Sequence, residues 1–278
     1  MIPTSLRTGR PEFCIFGNPN AATMTEQLFI IDTDTKLRDV DTDRYGNYIA
    51  ITEKNEIIAP FFRTQLPENY LSFRVRRLTD SLFLVLSIPP KGEHNALIYD
   101  CEGKLQLSFF AGAGIEEVLV FKDKIVFTYF DEGVFGDDGP NLEGLAVFNF
   151  RGEMLYGFNS NANWLIADCY CACKLDQNTV LFYPYTDFQM IALNLKTFAW
   201  KQYETPADFR GAHSMVYNRG QVILHGTYEN KTNFFLWNIA GKEVTKFGTF
   251  DGGLKGLEEG KFMTLKSNGF SIINPLEE

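Results

Sequence analysis

Short apolar runs alternate with tight polar turns along the whole chain, and one arrangement of them keeps returning. Residues 96–109 read ALIYDCEGKLQLSF, residues 145–158 read LAVFNFRGEMLYGF, and residues 234–247 read FFLWNIAGKEVTKF. In each, an Asp or Asn (Asp100, Asn149, Asn238) opens a turn, a Gly follows three positions later, and a charged residue comes next. Asp and Asn side chains bond their own backbone in turns, and Gly supplies the positive φ that closes them. Each unit therefore predicts a β-hairpin. Looser copies fall at 190–203 (Asn194, with Thr197 at the Gly position) and at 48–61 (Thr52, with Asn55 there). A half copy at 270–275 carries Asn274. The openers Thr52, Asp100, Asn149, Asn194, Asn238 and Asn274 are spaced by 48, 49, 45, 44 and 36 residues.

Two more strands fit before each hairpin: 28–31 and 36–40, 72–76 and 82–87, 115–120 and 124–130, 165–170 and 179–183, 213–217 and 221–226, 254–258 and 261–265. The second of each pair is dense in Val, Ile, Leu and Phe, as in KIVFTYF at 124–130, which suits a strand buried on both faces. A repeat of about 40–50 residues with four strands each marks propeller blades. The expected fold is all-β: residues 1–278 as a single six-bladed β-propeller of four antiparallel strands per blade. The blades are expected at about 28–62, 72–109, 115–158, 165–203, 213–248 and 254–274. The last is completed by an N-terminal strand at 12–16, which closes the ring. No segment keeps an i, i+3, i+4, i+7 apolar period for three turns, so helices are not expected.

On the turns at Asp100–Gly103, Asn149–Gly152 and Asn238–Gly241, the layout resembles six-bladed propellers of the NHL and gluconolactonase-like kind. The resemblance is one of architecture. The Trp-Asp ending of WD40 repeats and the Gly-Gly pair of kelch strands are missing. Fold alone carries no function.

Composition narrows the partners. The net charge is -9, with no Lys/Arg run beyond Arg74-Val75-Arg76-Arg77, the reverse of what phosphate neutralisation or an anionic membrane surface asks for. No apolar run approaches 18 residues. Residues 1–9 are polar and lack the apolar core of a signal peptide. The five cysteines are odd in number; Cys169, Cys171 and Cys173, at i, i+2, i+4, are expected to point to one face of a strand, about 7 Å apart. That is too far for neighbouring disulfides, and no His accompanies them for zinc, so they read as buried free thiols of a reducing compartment. The expected location is the cytoplasm.

With the four strands of a blade lettered A to D from the channel outwards, the loops joining B–C and D–A share one face of a propeller with a mouth of the channel. The long connections at 63–71, 88–95, 131–144, 184–188, 204–212 and 227–233 all fall there, while the C–D turns are tight. Irregular loops on a rigid scaffold are where binding residues tend to sit. The first reading is therefore a non-catalytic binding module that engages a protein or peptide through Asp131, Glu132, Phe135, Trp164, Tyr185 and Arg210, with no cofactor. The acidic 131–144 loop favours a basic partner and a fast encounter. That loop fails the EF-hand pattern, having Gly133, Phe135 and Leu142 at positions 3, 5 and 12.

The second reading is a divalent-metal hydrolase or lactonase at the channel mouth. The gluconolactonase-like resemblance implies calcium or another divalent cation there, with Glu117, Asp131 and Asp168 as candidate ligands. His213 would be the general base, oriented by Asp168. The plainer reading of these carboxylates is that they pair with Arg210 and Lys255. No G-x-S-x-G elbow, G-x-G-x-x-G turn or G-x-x-x-x-G-K-[ST] loop occurs, so neither a serine nucleophile nor a nucleotide cradle has support.

Overall fold

The computed structural model describes residues 24–67, 71–88, 94–136, 139–185 and 187–276. They form six separate four-stranded antiparallel sheets arranged in a ring. Strand β1 (Thr25–Ile30) comes first in the chain but is the outer strand of the last sheet. Blade one is β2 (Leu37–Thr42), β3 (Tyr48–Thr52), β4 (Glu56–Ala59) and β5 (Phe62–Gln65). Blade two is β6 (Leu71–Arg77), β7 (Leu82–Ile88), β8 (Ala96–Asp100) and β9 (Leu105–Phe109). Blade three is β10 (Ile115–Val120), β11 (Lys124–Tyr129), β12 (Leu145–Asn149) and β13 (Met154–Gly157). Blade four is β14 (Cys169–Asp176), β15 (Thr179–Pro184), β16 (Met190–Asn194) and β17 (Trp200–Tyr203). Blade five is β18 (Ser214–Asn218), β19 (Gln221–His225), β20 (Asn233–Asn238) and β21 (Val244–Thr249). Blade six is β22 (Lys255–Gly256), β23 (Phe262–Lys266), β24 (Gly269–Asn274) and β1, which runs antiparallel to β24 from Thr25↔Asn274 to Ile30↔Gly269.

The ring thus closes with an N-terminal strand, but not at the expected place. Residues 12–16 lie outside the described residues, and 25–30 fill the position assigned to them. Everything up to 65 is consequently displaced by one strand. The segment near 28–31 is the outer edge of blade six, and the hairpin at 48–59 is B–C of blade one, not C–D. The turn explains the misreading. Thr52 Oγ1 accepts from the N–H groups of Lys54 and Glu56 (3.3 and 3.1 Å), and Asn55 has φ of 60°. This Asx/ST turn chemistry looks the same in sequence on either edge of a sheet.

Each sheet is buried on both faces, and alternate residues of one strand serve different neighbours. In β15, Val180 and Phe182 pack towards Val126, Leu145 and Val147 of blade three. Leu181 and Tyr183 pack towards Met215, Leu224 and Trp237 of blade five. Period two on a doubly buried strand is why the B strands read as unbroken apolar runs. The same interleaving recurs between every pair of adjacent blades, including Met263, Phe270 and Ile272 of blade six against Val40, Ala50 and Ile58 of blade one. Burying each such side chain contributes roughly 1.5–3 kcal/mol.

Cys169, Cys171 and Cys173 are buried free thiols, but they do not share one face. The β14–β15 register slips between Cys169 and Cys171, a bulge that re-aims the strand. Cys169 therefore faces the blade-three side, and Cys171 and Cys173 the blade-five side. Burial pushes all three thiols well above the ordinary range.

Candidate functional site

The inner strands of the first three blades are laced together by charge. Asp39 accepts the Val75 N–H (2.9 Å) and pairs with Arg76 (2.5 Å). Asp41 accepts the Arg77 N–H (3.0 Å) and pairs with Lys255 (3.1 Å). Arg76 Nε donates to the Val118 carbonyl of blade three (3.2 Å), and Arg74 to that of Glu116. The Arg74–Arg77 run is thus a structural seam, as an ion-paired face.

The channel opens widely on the face of the A–B turns, in a cavity of about 1100 Å³. Its charged walls are largely matched internally: Lys174 with Glu258, Lys255 with Asp41, Arg44 with Glu259. Lys255 belongs to this opening and not to the loop-rich mouth where the sequence placed it.

The loop-rich face carries a smaller recess of about 340 Å³, lined by Asp131, Phe135, Ala167, Asp168, Tyr170, Tyr185 and Tyr228. Four of these were expected at the rim: Asp131, Phe135 and Tyr185 as binding residues, Asp168 as a possible ligand. The described residues of the 131–144 connection are held by specific contacts. It opens with a single turn, α1 (Asp131–Val134), in which the Phe135 N–H reaches the Asp131 carbonyl (2.8 Å). That turn buries Val134 in the core and leaves Phe135 67% exposed. Asn141, buried, donates from Nδ2 to the Gly133 carbonyl (2.7 Å), and its Oδ1 accepts from Ala113 (3.3 Å). Gly133 and Gly114 meet backbone to backbone; a Cβ on Gly133 would lie 2.6 Å from the Ala113 carbonyl oxygen. Glu143 is occupied by the Ser160 N–H and hydroxyl (2.8 and 2.5 Å). Asp137 and Asp138 lie outside the described residues.

Tyrosines form the remaining walls. Tyr170 sits beside the bulge of β14, Tyr185 just past the end of β15, and Tyr228 in the loop after β19. The rings of Tyr185 and Tyr228 stand at 84° and 88° to Tyr170, with centroids 6.0 and 5.8 Å away, and the Tyr170 and Tyr228 hydroxyls touch. Phe188 backs them, and the Arg210 guanidinium lies 5.2 Å over its ring. Gly211, at φ of 73°, lies flat against Tyr228; a Cβ there would come within 2.5 Å of the ring. Arg210 therefore supports the cluster from behind and does not line the recess.

The electrostatics of the mouth are strained towards negative charge. Burial, then repulsion from Asp131 and Glu132, lifts the Asp168 carboxyl to about 6. Burial raises Glu116 to about 7, with Glu117 and Asp168 adding and Arg74 opposing.

Other expected residues fall elsewhere. Trp164 packs on Trp200 of the outer strand of blade four (5.7 Å), away from the recess. Glu132 adjoins Asp131 on α1 without lining the recess, and Glu117 sits on β10 with its N–H bonded to Thr128. Of the three carboxylates offered as metal ligands, Asp131 and Asp168 share the recess and Glu117 is not among its lining residues; among the described residues no group of three or more His, Cys, Asp and Glu is placed to hold a metal ion. His213 Nε2 lies 3.0 Å from Lys231 Nζ where an orienting Asp168 was expected, and burial and Lys231 both lower its pKa. Tyr170 and Tyr228 were missed. Tyr170 stands out only as the one aromatic between buried cysteines, and Tyr228 carries no local signal in the sequence.

No protein-family model matches the chain, and no curated protein matches it. Solved structures do. Kluyveromyces lactis Hsv2 superposes with a TM-score of 0.57 at 12% identity, covering 84% of this chain and 72% of that one. The Cps50 (Swd1) β-propeller domain of Myceliophteria thermophila gives 0.55 at 9%, covering 98% of each. A streptogramin B lyase gives 0.53 at 8%, covering 91% and 98%. The chain is a six-bladed β-propeller. At these identities the likeness is one of fold alone. Among the described residues no helix is long and apolar enough to cross a membrane.

Proposed function

We propose that this propeller is a non-catalytic binding module whose loop-rich face engages a basic segment of a protein or peptide partner. The observation that carries the reading is the recess, where exposed aromatics (Phe135, Tyr185, Tyr228) adjoin two carboxylates, Asp131 and Asp168, and no Lys or Arg lines the walls. Solvent-exposed aromatics on a rigid frame are the usual anchors of an interface, since they lose little entropy on docking. The negative charge of the recess, with Glu132 and Glu116 near enough to repel Asp168, favours a positively charged partner and speeds its approach. A display library of Lys/Arg-rich peptides tests this. Sequences enriched on the native protein should lose at least about tenfold in affinity on Phe135→Ala with Tyr185→Ala, as two lost anchor residues imply. Retained affinity in a variant that melts like the native protein would overturn it.

A further inference from the structure

The recess on the loop-rich face is small and walled by three tyrosines. Its three tyrosine walls do not lie parallel: Tyr185 and Tyr228 each stand nearly perpendicular to Tyr170. A planar guanidinium stacks on one ring face at a time. A tetrahedral head can touch ring faces from several directions at once. An unmodified ammonium is compact and strongly hydrated, so stripping its water against apolar rings is unfavourable. Alkyl groups on the nitrogen remove most of that hydration and keep the charge, and aromatic faces attract such a cation through their quadrupoles. Asp131 and Asp168 supply the countercharge at the wall. About 340 Å³ admits such a head together with the end of its alkyl stem, at the small end of ligand pockets.

We propose that this recess binds the methylated ammonium of a modified lysine in the basic partner, an inference that rests on the binding-face reading above. The side chain enters beside Phe135, its head meets Tyr170, Tyr185 and Tyr228, and Asp131 and Asp168 balance the charge. Gly211 is the positioning residue, because any side chain there displaces Tyr228.

The test uses the full chain and two probes, Nα-acetyl-Nε-trimethyl-lysine amide and its unmethylated counterpart, titrated while tyrosine fluorescence or NMR shifts are followed. The trimethylated probe should bind about tenfold more tightly, the ratio a partly desolvated cation–aromatic contact supplies. Tyr185→Ala and Tyr228→Ala should each abolish that preference, and tetramethylammonium should compete. Asp168→Asn should weaken both probes together. Equal binding of the two probes, or a preference that survives both tyrosine variants, overturns the inference. The library experiment uses unmodified lysines, so its outcome stands apart: a face that captures basic peptides yet ignores methylation leaves the binding module and removes the methyl-lysine pocket.

Discussion

Lys255 of blade six donates to Asp41 of blade one at 3.1 Å, across 214 residues of chain, and the same carboxylate accepts the Arg77 N–H of blade two at 3.0 Å. One side chain therefore ties three consecutive inner strands where the ring closes. Burial acts to raise its pKa, but Lys255, Arg76 and the Arg77 N–H outweigh it and hold the carboxyl below 3.8. Asp41→Ala leaves two donors without their acceptor and should cost about 2 kcal/mol in denaturant unfolding. Asp41→Asn, which keeps one oxygen, should cost less. A group with a lowered native pKa stabilises above its unfolded value and loses that contribution as pH falls through the native one. The gap between native and Asp41→Asn protein should thus be full above about pH 5 and close as the pH drops below 4.

Glu116 and Asp168 carry the opposite sign. Their native values, about 7 and about 6, lie above the ordinary 4.5 and 3.8. Between those limits the folded state holds protons that the unfolded state has released, so stability declines as pH rises from about 4 to 7. Glu116→Gln should be as stable as native protein at pH 4 and more stable at pH 8, by on the order of 1 kcal/mol once solvent screening is allowed for. That is roughly 2–4 °C in Tm. Asp168→Asn should move the same way by less. Equal melting at pH 8 would contradict the crowded-carboxylate reading.

The 131–144 connection is structural as well as acidic. Asn141→Ala should cost about 2–3 kcal/mol, since the Gly133 carbonyl and Ala113 N–H lose a buried partner. Deleting 134–141, harmless for a purely solvated loop, also removes buried Val134 and should abolish cooperative melting.

Thiol labelling with peptide mapping checks the burial of the β14 cysteines. Cys101, partly exposed, should react within minutes, whereas Cys169, Cys171 and Cys173 should be labelled only at the rate of unfolding.

The hairpin rhythm was legible because the C–D turns use chemistry that sequence displays. Asp100 Oδ1 accepts from Glu102 and Lys104 (3.0 Å each), Asn149 Oδ1 from Arg151 and Glu153 (2.9 and 3.1 Å), and Asn194 Oδ1 from Lys196 and Thr197 (2.9 and 3.0 Å). Such turns report that two strands pair, not which two, so blade one slipped by a strand at Thr52. The bulge at Cys169–Cys171 is a register event that strict alternation cannot anticipate. At the recess, Asp131 and Phe135 were visible as an acidic, aromatic loop. Tyr170 and Tyr228 belong to different blades, 58 residues apart, and meet only once the ring is formed.

Two charge reversals on opposite faces weigh the central claim most directly. Asp131 lines the recess on the loop-rich face, and Asp80 lines the wide opening on the face of the A–B turns. With a basic peptide selected on the native protein, Asp131→Lys should lower affinity at least about tenfold and flatten its dependence on salt, while Asp80→Lys leaves binding within about twofold. Loss of binding on Asp80→Lys with Asp131→Lys unaffected would put the binding face at the other end of the channel and contradict the account.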